Sequence, residues 1–195
     1  MNKILEYTKC NIDIENLGIT LMFVTGIRVG ELVTLKWEDV SRGGSFVSVK
    51  RTETRYRDKD SDQWVHSVKE SPKTEAGMRE VVIPKDYLWV LSKAKRINPF
   101  TEFIFEKDGE RLSTEKIRKR LYRICRNVNI KARGTHAIRK TYGSILLDNN
   151  IDKKLITGQM GHTDIATTEN FYHKNRRTYE EKSDILSNIP QLKVQ

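Results

Sequence analysis

The chain has 195 residues, of which 37% are hydrophobic and 32% are charged, and its formal net charge is +10. A chain of this length buries roughly 70% of its unfolded surface, so we expect one domain, or two small ones, without disulfide or metal staples. The excess of lysine and arginine favours a polyanionic partner, most often nucleic acid. A basic protein without such a partner is the alternative on charge alone.

The two cysteines, Cys10 and Cys125, are too few and too far apart in sequence for a disulfide framework or a zinc motif. They fit a reducing cytoplasm, as buried or spectator thiols. No stretch approaches the roughly 20 apolar residues that span a bilayer, and the N-terminus lacks the apolar run of a secretory signal. The sequence therefore predicts a cytoplasmic protein with no membrane partner.

Helices are predicted in the first part of the chain. Residues 1–16 predict a helix and a turn, and the apolar positions of residues 15–35 mark two helices that are separated at Gly26. Arg28 then lies in the first turn of the second helix, where unpaired backbone N–H groups favour an anion. A surface arginine that pairs with Glu31 three residues later is the simpler alternative.

A strand-rich region is predicted in the middle of the chain. The charged segment 51–62 is expected to be an exposed hairpin loop. Residues 71–79 predict a turn by their proline and glycine content, and a lysine at such a tip, here Lys73, is usually solvated. The strand candidates alternate in polarity or end at a proline, and they are residues 45–50, 63–68 and 79–84.

The second half of the chain is again predicted to be helical. Thr135 is the expected N-cap of the helix that carries His136, and Asp152 caps the next helix, which stops at Gly161. A shorter helix carries Tyr172. With the strands above, the pattern predicts an α+β fold, mostly α-helical, with a small antiparallel three-stranded sheet.

One predicted helix, residues 113–128, follows a short apolar run and the turn 107–110. Its dense basic stripe is usually a solvated face, but such a stripe is also able to follow a DNA backbone. The basic residues are Lys116, Arg118, Lys119, Arg120, Arg123 and Arg126.

Attack on a phosphodiester requires cationic groups that hold the phosphate oxygens. Arg28 and Arg139 are candidates for forked, permanently charged clamps. His136 and His162 are able to donate to phosphate oxygens or to carry protons near neutral pH. His136 and Arg139 share one face of their helix because they are three residues apart.

The same reaction requires a nucleophile and a proton donor. Tyr172 is the candidate nucleophile, which would form a covalent phosphotyrosine, and Lys73 is the candidate acid for the leaving oxygen. The arginines take the place of a cation, so no metal or other cofactor is expected. A zinc site from His162 and His173 is possible by residue type, but no carboxylate or thiol spacing supports it.

Taken in order, these residues resemble the catalytic domain of the tyrosine recombinases, the phage integrase family. The resemblance runs from about residue 15 to residue 188, and all six catalytic positions are filled by the expected residue types. The matching stretches are TGIRVGEL at 25–32, Pro72-Lys73-Thr74, the His-x-x-Arg box at His136–Arg139, Gly161-His162 and Tyr172.

The resemblance implies DNA strand cleavage and rejoining without a metal, for site-specific recombination of a mobile element or phage. Tyr172 would attack the scissile phosphate, form a 3′-phosphotyrosyl link and release a 5′-hydroxyl, which Lys73 protonates. Attack by the partner strand's 5′-hydroxyl would reverse the step. The resemblance also implies that Arg28, Arg139 and His162 hold the phosphate and that His136 assists proton transfer.

Three further assignments follow from the same resemblance. Glu31 is expected to orient Arg28 or its helix. Family members place the tyrosine nine or ten residues after the Gly-His histidine, and position ten is Tyr172, with Tyr179 as the fallback. His173, next to the nucleophile, is either a supporting group or a solvated histidine.

The expected organisation is a single catalytic domain over residues 1–195, with a core at about 15–173 and a C-terminal tail at 178–195. The N-terminal core-binding domain of full-length members has no counterpart in this sequence, which predicts an excised domain or a truncated gene. The apolar tail is expected to dock on a neighbouring protomer and to give dimers or tetramers on double-stranded DNA. The expected location is the bacterial cytoplasm, with nucleoid association when DNA is bound.

Three other readings remain open at this point. Type IB topoisomerases use a similar set of residues to nick and reseal one strand without exchange. A basic fragment that only occupies DNA is the second, and the intact candidate residues argue against it. A structural protein without a DNA partner is the third.

Overall fold

The computed structural model describes residues 1–59, 61–70 and 78–161, and a fully buried helix, α2, lies at its centre. Helix α2 spans Ile14–Thr25, and all twelve of its residues are buried. The Asp13 side chain caps its start by accepting a hydrogen bond from the Asn16 N–H at 2.8 Å. Its end is the predicted Gly26, whose φ of 68° is left-handed. A helix that is apolar on every side is buried on every side.

Four longer helices pack around α2 and build the core. Helix α1 (Asn2–Cys10) buries Ile4 and Thr8 against it, so the N-terminal helix belongs to the same core. Helix α7 (Lys153–Met160) packs on α6 (Thr135–Asp148) through a smaller apolar cluster around Ile156 and Met160. The helices are α1 Asn2–Cys10, α3 Val29–Leu32, α4 Trp89–Ile97, α5 Thr114–Asn127, α6 Thr135–Asp148 and α7 Lys153–Met160, with 3₁₀ turns at Trp37–Asp39 and Lys85–Tyr87.

The predicted α+β fold, mostly helical with small antiparallel sheets, is confirmed. In the described residues the strands form three antiparallel pairs, β1–β4, β2–β3 and β5–β6, instead of one three-stranded sheet. The β1–β4 pair places its apolar side chains in the core. The strands are β1 Phe46–Val49, β2 Thr52–Arg57, β3 Trp64–Lys69, β4 Arg79–Val82, β5 Glu106–Lys107 and β6 Glu110–Arg111.

Two local predictions are wrong. Residues 51–62 are not a loop throughout, because β2 occupies Thr52–Arg57 and pairs with β3. Its charged side chains are compatible with a strand because Glu53 points inward and accepts hydrogen bonds from the Thr114 N–H and from Arg111. Helix α6 begins at Thr135 itself and its N-cap is Gly134, one residue earlier than predicted.

Over the part of the chain that the structure describes, no helix combines the length and apolar character needed to cross a bilayer.

Candidate active site

Arg28 occupies the tight connection between the buried α2 and the short α3. Its backbone N–H donates to Glu31 Oε2 at 3.0 Å, which closes the first turn of α3. Its guanidinium donates to Glu31 Oε1 at 2.8 Å, yet 42% of the side chain remains exposed. The pairing with Glu31 and an exposed, anion-accessible guanidinium therefore coexist.

Arg139 approaches the same place from α6. The side chain is 2% exposed, and its guanidinium donates to the Gly26 carbonyl at 2.7 Å and to the Met160 carbonyl. One arginine thus connects the end of α2 to the end of α7. His136, one turn earlier on α6, is on the exposed side of this helix.

The end of α7 is the point at which both arginines meet. Arg28 Nη2 donates to the Gly161 carbonyl at 3.2 Å, one residue after the Met160 carbonyl that binds Arg139. Gly161 adopts a φ of 59°, the left-handed conformation that ends a helix, as predicted. Positions 28, 139 and 160–161 are far apart in sequence and are brought together by the fold.

Several predicted site residues lie outside the described residues. These are Lys73, His162, Tyr172 and His173, together with the fallback Tyr179. The described chain ends at Gly161, the residue directly before His162. Of the predicted set, the structure therefore brings together Arg28, Glu31, His136 and Arg139.

Two residues of the site were not assigned a role by the sequence. Arg79, the first residue of β4, donates from both terminal nitrogens to Glu31, at 3.0 and 2.8 Å. Its Nε donates to the Gln159 carbonyl at 3.1 Å. The Gln159 side chain exchanges two hydrogen bonds with the Val82 backbone, at 3.0 and 2.7 Å. The sequence shows Arg79 only as a strand residue, because its partner is 48 positions away.

Glu31 is ionised although it is buried. Burial disfavours the charge, but hydrogen bonding to Arg79 and the charges of Arg79 and Arg28 outweigh this and lower the pKa of Glu31. Two guanidinium groups, Arg28 and Arg79, bind this carboxylate, and a third, Arg139, binds the Met160 carbonyl next to the Gly161 carbonyl that accepts from Arg28. The cluster carries two net positive charges, which suits a phosphodiester.

The imidazole of His136 is biased towards its neutral form. Partial burial, followed by the positive charges of nearby side chains, lowers its pKa below the ordinary value. These side chains are Lys140, Arg139 and Arg28. A neutral imidazole accepts or donates one hydrogen bond at each nitrogen and is suited to carrying a proton.

The described residues contain no group of three or more His, Cys, Asp or Glu side chains that is suited to a metal ion. The chemistry of the described cluster is that of cationic hydrogen-bond donors. Arg28 offers a partly exposed fork, and Arg139 and Arg79 fix the backbone around it. Such an arrangement is able to bind a tetrahedral oxyanion.

Residues 1–178 match the phage integrase family. The XerC-like tyrosine recombinase of Caldanaerobacter subterraneus subsp. tengcongensis is 25% identical over 169 residues, which cover 78% of this chain and 43% of the relative. The integrase of Staphylococcus phage L54a is 29% identical over 185 residues, covering 87% of this chain and 51% of the relative. The chain spans about half the length of these curated relatives.

Solved structures share the fold. The Tn1549 transposon integrase in complex with transposon right end DNA superposes with a TM-score of 0.73 at 19% identity, over 96% of this chain and 63% of that one. The crystal structure of XerA recombinase gives a TM-score of 0.68 at 21% identity, over 95% of this chain and 61% of that one. These likenesses establish the fold of the described domain.

Proposed function

The chain belongs to the phage integrase family, and we propose that it carries the cleaving and rejoining centre of a site-specific DNA recombinase. The observation that supports this most directly is the meeting of Arg28 and Arg139 at Met160 and Gly161. It brings two guanidinium groups together at the residue that directly precedes His162 in the sequence. The substrate is double-stranded DNA, and the reaction integrates or excises a mobile element or phage in the bacterial cytoplasm.

In the proposed cleavage step, the Tyr172 hydroxyl oxygen attacks the scissile phosphorus. A phosphorus–oxygen bond to tyrosine forms while the bond to the 5′ oxygen breaks, so the 3′ end becomes covalently attached. Lys73 gives a proton to the leaving 5′ oxygen, and His136 assists removal of the tyrosine proton. The step conserves one phosphodiester bond, so no high-energy cofactor is needed to reverse it.

The charge that develops on the phosphate oxygens is offset by arginine. In this proposal Arg28 and Arg139 hold the phosphate, with His162 as a further donor; Arg28 supplies an exposed fork, and Arg139 also binds the Gly26 and Met160 carbonyls. Preorganised donors of this kind need no reorganisation during the reaction. Support for these roles comes from the contacts of Arg28 and Arg139 and from the charge of the cluster.

The test uses the 195-residue chain and a pool of short duplexes, each nicked near its centre and randomised in sequence around the nick. Cleavage next to a nick releases a short fragment, so the covalent complex accumulates and is seen on a denaturing gel. We expect an adduct with the wild-type chain, and sequencing of its DNA gives the target site. No adduct with the wild-type chain would contradict the proposal.

Three tyrosine variants then identify the nucleophile. Tyr172→Phe is expected to remove the adduct, and Tyr179→Phe to leave it intact. Tyr142→Phe is a matched control within the described residues: its ring lies beside Gly26, and burial raises the pKa of its hydroxyl, which disfavours the phenolate. An adduct that survives in Tyr172→Phe would overturn the assignment of Tyr172.

We also propose that the tail, residues 178–195, mediates self-association on DNA, a prediction that lies outside the described residues. The support is its apolar side chains, Ile185, Leu186 and Ile189. Changing Ile185 and Leu186 to Asp is expected to leave one protomer per bound duplex in sedimentation experiments. Unchanged assembly in this variant would reject the role of the tail.

A further inference from the structure

We propose that Arg79 is a positioning residue whose charge offsets Glu31, so that the charge of Arg28 is left for the scissile phosphate. This inference rests on the proposed function, because it concerns the same phosphate site. Arg79 is not in the set of catalytic residues that the sequence predicts, and its side chain donates hydrogen bonds to Glu31 and to the Gln159 carbonyl. It acts through Glu31 and through the end of α7.

Arg79 and Arg28 share the Glu31 carboxylate unequally. Arg79 binds both carboxylate oxygens of Glu31, whereas Arg28 Nη1 binds one of them. The Arg79 and Glu31 side chains are 6% and 5% exposed, while the Arg28 side chain is 42% exposed. The forked, buried pair is therefore the stronger of the two contacts, and Arg28 is the partner that remains accessible to a ligand.

The net charge around Glu31 also depends on Arg79. With Arg79 present, Glu31 and two arginines carry one net positive charge, and Arg28 is free to share its charge with an anion. Without Arg79, Glu31 and Arg28 alone would form a neutral pair. An incoming phosphate would then compete with a buried carboxylate for the same guanidinium, and anion binding would weaken.

Arg79 also fixes the position of the end of α7. Arg79 Nε donates to the Gln159 carbonyl at 3.1 Å, and Gln159 is itself bonded to the Val82 backbone on both sides. The end of α7 is thereby attached to β4, two residues before the Gly161 carbonyl that accepts from Arg28. Arg79 thus connects three parts of the proposed site: the α3 turn, the end of α7 and the strand that follows the Lys73 segment.

The variants separate charge from packing. Arg79→Met removes the charge and the fork, Arg79→Lys keeps the charge but loses the fork, and Glu31→Gln combined with Arg79→Met restores one net positive charge. The matched control is Arg51→Met, because Arg51 is also 6% exposed and is also paired with a buried carboxylate, which is Asp39 instead of Glu31. A cooperative thermal unfolding transition is required of each variant as the control for correct folding.

The decisive measurement is the binding of inorganic sulfate, which has the tetrahedral shape of a phosphodiester oxyanion. It is followed by the amide resonances of Gly26 and Gly161 at constant ionic strength. Loss of one nearby charge is expected to weaken sulfate binding about tenfold in Arg79→Met. Arg79→Lys is expected to fall between this variant and the wild type, while the double variant and Arg51→Met bind close to wild type.

The second measurement is the single-turnover rate of adduct formation on a nicked duplex with the target sequence recovered from the wild-type adduct. Misplacement of a catalytic group commonly costs about 100-fold in rate, so we expect a fall of that order in Arg79→Met, with a smaller change in duplex affinity. The double variant is expected to recover part of this rate. Because Arg79 and Glu31 are in direct contact, recovery in the double variant is also expected from their pairing alone, so the sulfate series is the measurement that decides the role of the charge.

The two proposals fail in different ways. Wild-type sulfate binding without any DNA adduct would contradict the recombinase function, while the sulfate series would still decide the role of Arg79. Equal sulfate binding by wild type and Arg79→Met, or a double variant no better than Arg79→Met, would overturn the inference. Absence of sulfate binding at Gly26 and Gly161 in the wild type would also overturn it.

Discussion

Gly161 ends α7 at a position where a side chain would be unfavourable for two reasons, the backbone conformation and the close approach of Arg79. Its φ is 59°, and an added Cβ would lie 2.8 Å from Arg79 Nη1 and 2.9 Å from two carbon atoms of the same side chain. Gly161→Ala is therefore expected to lower the free energy of unfolding by about 2 kcal/mol. Because Arg79 has to move, the variant should also form the DNA adduct more slowly. Urea unfolding and the rate of adduct formation on the nicked duplex measure the two effects.

Gly158, in the last turns of the same helix, is the matched control. An added Cβ there meets nothing within 4 Å, and the residue is exposed. Gly158→Ala is expected to raise the free energy of unfolding by about 0.5–1 kcal/mol, because alanine is the better helix former. Equal effects of the two substitutions would contradict the role given to the Gly161 conformation.

The protonation of His136 is a second prediction for a single residue. Partial burial and neighbouring cations place its pKa below the unfolded value of 6.5. As the pH falls through this window, the unfolded chain takes up the proton first, so the folded state loses stability until the pH is below the folded pKa. Lys140→Gln is expected to raise the pKa of His136 in an NMR titration.

Lys85→Gln, in the exposed 3₁₀ turn before α4, is the control for this titration. It removes the same charge without removing a cation that acts on His136, so the pKa of His136 should not move. Bound DNA should raise the pKa, since a phosphate offsets the nearby cations. A pKa of His136 at or above 6.5 in the free protein would contradict the electrostatic picture of the site.

At the scale of elements, the Gln159 side chain adds to the contact of α7 with β4 that Arg79 makes. Gln159 accepts from the Val82 N–H and donates to the Val82 carbonyl, in the manner of a neighbouring strand. Gln159→Leu is expected to lower the free energy of unfolding by about 1–2 kcal/mol, because both backbone groups lose their partners. The Val82 amide should exchange with solvent faster in the variant.

Gln63→Leu provides the comparison for Gln159→Leu, because Gln63 is exposed beside the β2–β3 hairpin. The two variants make the same chemical change, but the exposed one should leave stability and Val82 exchange near their wild-type values. If Val82 exchange were unchanged in Gln159→Leu, the end of α7 would be held to β4 by other contacts.

Helix ends were the elements best predicted from the sequence. Gly26, Asp152 and Gly161 act locally, through a left-handed conformation or a side-chain cap, so the signal and its effect lie within a few residues. Strand β2 was missed because its sequence, TETRYR, is polar. Its place is fixed by pairing with β3 and by buried hydrogen bonds to Glu53, both of which are contacts between distant residues.

The site follows the same division between local and distant signals. Arg28 and Arg139, which the structure brings together at the end of α7, were predicted as site residues because each lies in a short motif with a defined spacing. Arg79 and Gln159 were not found, since their partners Glu31 and Val82 are 48 and 77 positions away. A buried carboxylate three residues after Arg28 was the available hint: such a group requires a cationic partner, but the sequence does not say which one.

At the scale of the whole molecule, the net charge of +10 is concentrated in part on the exposed face of α5. Lys116, Lys119, Arg123 and Arg126 recur at three- and four-residue spacing and line a surface groove. Tyr122 lies in the same groove, with its hydroxyl next to Gly134, the N-cap of the helix that carries His136. The basic face therefore reaches the start of the helix that carries His136, and it is suited to contacts with the DNA backbone.

This placement makes the salt dependence of DNA binding a test of where the charge acts. Replacing Arg123 and Arg126 by Gln is expected to reduce the slope of log affinity against log salt concentration by about 2, since each lost phosphate contact contributes about 0.9. Fluorescence anisotropy of a labelled duplex measures the slope. Lys85 and Arg96, both exposed and near the two ends of α4, are replaced by Gln as the control with the same loss of charge. If the bound duplex follows α5, replacing Arg123 and Arg126 reduces this slope more than replacing Lys85 and Arg96 does. Equal slopes for the two double variants would mean that DNA binding depends only on the net charge of the protein.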